Sequence, residues 1–186
     1  MKTPDTALAA LEAYRGRDEH VLDICGLGGV HELSGRLVVV ETLEVDATTD
    51  FGAPSAISAL DRRPLQGAPT SSFFAVILQG CWLYLDDVAA RTTTPLRKGP
   101  RGGGRDVEMM VRHVGEAGVA YVRGLGLTVA ATTEDHEGVC ELRHRVSDVL
   151  RGDALVREGK WRVRYPARRI GWHARDHAFE VEDRST

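Results

Sequence analysis

Wholly apolar runs alternate along this chain with segments whose apolar residues recur at helical spacing. The strongest run is 73–78, Phe-Phe-Ala-Val-Ile-Leu, which stops at Gln79-Gly80 and presents Cys81. Residues 21–25 run in the same way into Gly26-Leu27-Gly28-Gly29, and 127–131 form a third short run. Continuous apolar stretches of this length, bounded by turn residues, predict strands buried on both faces. The valine-rich stretch 36–46 predicts a further extended piece, and 155–181 reads as two edge strands around Pro166. Apolar spacing predicts helices over 6–14, 55–63, 82–90, 106–122 and 139–150. The alternation predicts an α/β fold, a mainly parallel sheet flanked by helices in which 21–25, 73–78 and 127–131 are neighbouring strands.

One segment breaks the pattern. Residues 92–105 carry four glycines, two prolines and four basic residues. They predict an exposed, flexible loop, the first place a protease should cut, within a single domain spanning 1–186.

Composition narrows the picture only a little. A chain of 186 residues with 42% apolar and 27% charged positions and a net charge of −3 is ordinary for a soluble domain and points to no particular partner. The start lacks a basic region followed by an apolar run, and no apolar stretch approaches the roughly 18 residues of a membrane span, so the expectation is a cytoplasmic protein. Cys25, Cys81 and Cys140 are too scattered for a disulfide framework or paired metal ligands, and read as reduced thiols.

The candidate chemistry is nucleophilic. Cys81 at the carboxyl end of a strand sits where open α/β sheets collect their sites. His31, just beyond the glycines that follow the first strand, is the imidazole that would populate its thiolate. The backbone amides of Gly28 and Cys81 are the matching oxyanion donors. Cys25, inside its strand, reads as packing.

Other chemistries are weaker. His136 and His144 stand eight apart, and His173 and His177 are i, i+4 only on a helix; with Gly171 and strand-like surroundings the reading is surface solvation and no metal. The glycines at 26–29 lack a dinucleotide fingerprint and no phosphate-loop motif occurs, so no cofactor is expected. The run Lys160 to Trp172 mixes arginines with aromatics, but the acidic residues Asp176, Glu180, Glu182 and Asp183 follow at once, which favours a wet edge strand over a nucleic-acid surface.

In order, these pieces resemble the caspase-like cysteine peptidases, in the wide sense that includes metacaspases and the effectors of bacterial conflict systems. The matching text is 21–28 for the first strand end, Gly35-Arg-Leu-Val-Val-Val for the second strand, 73–81 for the nucleophile strand, and 127–135 with 142–152 for the strand and helix that follow. The resemblance implies a peptidase-type domain of a bacterial defence or signalling system, with Cys81 as nucleophile, His31 as base, and Glu134 and Asp135 selecting a basic side chain. Leu27 stands where the family has its catalytic histidine, which implies impaired catalysis and leaves open a non-catalytic binding or regulatory subunit. The family's opening strand has no counterpart, so the exposed sheet edge implies a protein or peptide partner, a homodimer or a larger complex.

Overall fold

Length decides what the apolar runs become. In the computed structural model, which describes residues 4–29, 35–46, 56–98, 104–128, 136–153 and 161–185, the run 73–78 is the middle of a 25-residue helix. Among the described residues five helices follow one another: α1 (Pro4–Ile24), α2 (Gly67–Arg91), α3 (Val107–Gly124), α4 (His136–Arg151) and α5 (Arg164–Ser185). Among the described residues there is no strand. The expected α/β sheet, and with it the resemblance to caspase-like peptidases and their hydrolase chemistry, is therefore corrected to a helical bundle.

The physical reasons are specific. A short apolar run fits a buried strand and a buried helix equally well by periodicity. In α2 the apolar residues continue at helical spacing, and Ala75, Leu78, Cys81, Trp82, Leu85 and Val88 are all buried. Gly80, read as the stop of the 73–78 run, lies inside α2, and Gly26, read as the end of the 21–25 run, is part of a helix cap. After α1, Gly26 adopts φ 70°, its N–H donates to Asp23 O (2.9 Å), and the Leu27 N–H donates to Leu22 O (2.9 Å). That pair of bonds closes a helix end through a left-handed glycine. The same arrangement ends α3 at Gly126 and α4 at Gly152. Pro166 lies in the first turn of α5, where the backbone N–H has no intrahelical acceptor to lose.

Elsewhere periodicity and structure agree. The helices expected over 106–122 and 139–150 are present as α3 and α4. Asp106 caps α3 by accepting from the Met109 N–H at 2.8 Å. Residues 36–46 and 56–66 run without regular structure, so the extended piece expected over 36–46 and the helix expected over 55–63 are not formed by the described residues. Glu41 accepts from the Ala59 N–H (2.9 Å) to hold the two together.

The core forms where α2 and α5 meet. Ala167, Ile170, Gly171, Ala174, Ala178 and Val181 of α5 are buried against it, and the Phe179 ring meets Tyr84 edge-on at 5.7 Å. Gly80 sets the approach of α1 to α2: a Cβ there would overlap Cys25 Sγ and lie 3.2 Å from Val21 O. Paired charges fix how the helices lie. Asp86 on α2 accepts two bonds from Arg143 on α4 (2.5 and 2.8 Å), and Arg175 on α5 pairs with Asp18 on α1 at 3.0 Å. Asp61, 1% exposed, receives Arg168 through both oxygens and ties the 56–63 segment to α5.

One expectation about membranes also changes. By length and composition, α2 between Pro69 and Arg91 suffices to cross a membrane (mean hydropathy 1.4), whereas no stretch of that kind was expected from the runs taken separately. Here it is the helix around which the others pack.

Two measurements check this architecture. Far-UV circular dichroism should show the paired minima of helix with no sheet signal. Leu78→Ala, which empties a side chain only 2% exposed, should cost about 2–5 kcal/mol in chemical unfolding; a loss under about 0.5 kcal/mol would place Leu78 outside the core.

Candidate metal centre

Once the C-terminal stretch is a helix, His173 and His177 stand one turn apart on the same face. That face turns towards α3, which carries His113. The three rings cluster with centroid separations of 4.5 Å (His173–His177), 5.0 Å (His113–His173) and 5.2 Å (His113–His177). One nitrogen from each lies within 4.8 Å of the others.

Burial and missing partners distinguish this cluster from three imidazoles that merely stack. His173 is 9% exposed, and neither of its ring nitrogens has a hydrogen-bond partner. An imidazole always carries at least one lone pair or N–H to satisfy, and leaving it buried and unmet costs about 1–3 kcal/mol. His177, by contrast, has its Nδ1 at 3.0 Å from a Glu180 carboxylate oxygen.

The electrostatics favour neutral rings. Burial, with the neighbouring His177 and His113 next, pushes His173 down to about 3. His113 is also held below the ordinary histidine range, first by burial and then by the Arg105 charge. Neutral imidazole is the form that ligates a metal. For His173 the same shift argues against a proton-driven switch near neutral pH.

Each histidine is followed three residues later by a carboxylate: His113 by Glu116, His173 by Asp176 and His177 by Glu180. On a helix that spacing puts each acid on the neighbouring surface of its own histidine, where acidic groups support cation binding. Burial raises the Asp176 carboxyl, and the neighbouring Arg175 charge opposes that rise.

The residues singled out from the sequence lie elsewhere. Cys81 is inside α2, 5% exposed, and burial pushes its thiol up to about 12. A thiol that is hard to ionise is a packing group. The Cys81 amide falls mid-helix, where the helix uses its N–H. Gly28 is exposed in the turn after α1. His31, Glu134 and Asp135 lie outside the described residues. Cys25, with its Sγ 3.4 Å from Val76 O, is partly buried between α1 and α2, and burial raises its pKa as well. A thiol–imidazole contact is present on α4, where Cys140 Sγ lies 3.4 Å from His136 Nε2 on an exposed surface. The three-histidine cluster went unread because its i, i+4 half is visible only on a helix, and His113, sixty positions upstream, has no local signal joining it to the pair.

Compared with known proteins, the chain matches no protein-family model, no curated protein and no solved structure.

The thiols give a direct check. With a maleimide at pH 7.5 in the folded protein, Cys140 should react first and Cys81 only on unfolding, as its exposure and raised pKa require. Fast labelling of Cys81 in the folded state would show a thiolate there and restore it as a nucleophile.

Proposed function

We propose that this chain is a metal-binding helical domain in which His113, His173 and His177 hold one divalent transition-metal ion. The observation that carries the reading is His173, whose two ring nitrogens are buried without partners beside two further imidazoles. Three neutral nitrogen donors suit zinc and its neighbours in the first transition row and do not suit calcium or magnesium, which take oxygen ligands. Tetrahedral zinc at about 2.0–2.1 Å from each nitrogen would need the three nitrogens about 3.3 Å apart. Small side-chain rotations reach that from separations of up to 4.8 Å.

Three protein ligands leave a coordination position open, which is the pattern of catalytic rather than purely structural zinc. The chemistry available there is Lewis-acid: polarisation of a bound oxygen and a metal-held water that ionises near neutral pH.

Isothermal titration of the metal-free protein with Zn²⁺ should give one site per chain. Replacing His173 with Ala should weaken it by at least about 100-fold, consistent with the loss of one of three ligands. A stoichiometry of zero, or full affinity in the His173→Ala protein, would remove the reading.

A further inference from the structure

His177 reaches the cluster with help. Its Nδ1 lies 3.0 Å from Glu180 Oε2, and a ring that donates through Nδ1 leaves its Nε2 lone pair for a metal. The other oxygen of Glu180 accepts from Arg184 Nη1 at 2.9 Å. Arg184 is 8% exposed and directs its remaining donors at main-chain carbonyls of the α2–α3 connection, Nε to Arg97 O at 2.7 Å and Nη2 to Arg105 O at 3.1 Å. Arg97 answers in kind: its N–H donates to Arg184 O (2.9 Å) and its Nη2 to Asp183 O (2.6 Å). The guanidinium is thus held from α5 and from both described ends of the connection, and its planar fork allows little drift. At Gly104, where φ is +152°, a Cβ would overlap that guanidinium.

We propose that Glu180 is the positioning residue for His177, and that Arg184 ties this carboxylate to the Arg97 and Arg105 ends of the α2–α3 connection. Metal affinity is then set in part by a chain segment that supplies no ligand. The proposal rests on the three-histidine reading above. Its chemistry is that of an outer-shell carboxylate, which fixes the tautomer and ring direction of a ligating histidine and raises its basicity. Coupling through Arg184 is reciprocal: whatever holds the connection in place tightens metal binding, and bound metal holds the connection in place by the same factor.

The test is a Co²⁺ titration followed by visible absorption, run on the wild-type chain, Glu180→Ala, Glu180→Gln, Gly104→Ala, Arg184→Lys and Lys98→Ala. Glu180→Ala should lower Co²⁺ affinity by about 10–100-fold, the usual effect of removing an outer-shell partner. Glu180→Gln should recover part of that loss, because its amide oxygen still accepts from Nδ1. Gly104→Ala, which touches no imidazole, should lower affinity by about 5-fold or more through the displaced guanidinium, a coupling of ordinary size. Arg184→Lys keeps the charge, loses the fork and should do the same, so the coupling remains testable if Gly104→Ala does not fold. Lys98→Ala, an exposed change in the same connection, should leave binding unchanged. Wild-type affinity in Glu180→Ala, or equal affinities for Gly104→Ala, Arg184→Lys and Lys98→Ala, would overturn the proposal while the metal site stood. Absence of Co²⁺ binding by the wild-type chain would instead overturn the metal reading and this proposal with it.

Discussion

Everything in this bundle depends on how closely α5 lies against α2. The buried side of α5 is made of small residues, with Ala167, Gly171, Ala174 and Ala178 in the contact, so the larger residues of α2 can seat directly on it. A Cβ at Gly171 would stand 3.3 Å from Leu78 Cδ1, which shows how little slack remains. Burying the facing sides of both helices supplies the non-directional stabilisation of helix-on-helix packing. It also fixes the rotation of α5 about its own axis. That rotation turns His173 and His177 towards α3 and leaves Arg168 and Arg175 on the other side, where they meet Asp61 and Asp18.

The charged pairs act as locators more than as a source of stability. Partly exposed pairs contribute about 0–1 kcal/mol each, whereas a pair whose partner is buried is costly to break. Asp61 is of the second kind, since removing Arg168 would strand an enclosed carboxylate. Glu182 shows the same logic at the far end of α5: it accepts from the Tyr84 hydroxyl at 2.6 Å and pairs with Arg91 and Arg17. That hydroxyl is harder to ionise as a result, through burial first and the carboxylate second. These contacts tie α1, α2 and α5 together at their ends, so the helices cannot slide past one another without breaking several at once.

How much of this was legible in the sequence can be judged residue by residue. The amphipathic repeats of α3 and α4 were readable because an apolar stripe with polar flanks has only one regular interpretation. Residues 73–78 were not, because a short unbroken apolar run fits a buried strand and a helix segment equally well, and on α2 two of its residues, Phe73 and Val76, are in fact exposed. Gly26 misled for a related reason: glycine after an apolar run ends either kind of element, and only the 2.9 Å bonds there show a helix cap. Pro166 read as a strand boundary although it starts a helix. The site suffered from the same error, since the i, i+4 relation of His173 and His177 exists only if the segment is helical. His113 joins them solely through tertiary packing, and no local pattern records that.

The partnerless His173 has a thermodynamic consequence of its own. Without a cation the native state carries an unmet buried imidazole, a standing cost of about 1–3 kcal/mol in a fold whose whole margin is of order 5–15 kcal/mol. A cation that binds only the folded chain adds about 2.7 kcal/mol of stability when present at a hundred times its dissociation constant. On the proposed metal-binding reading, the folded population would rise with the free metal concentration.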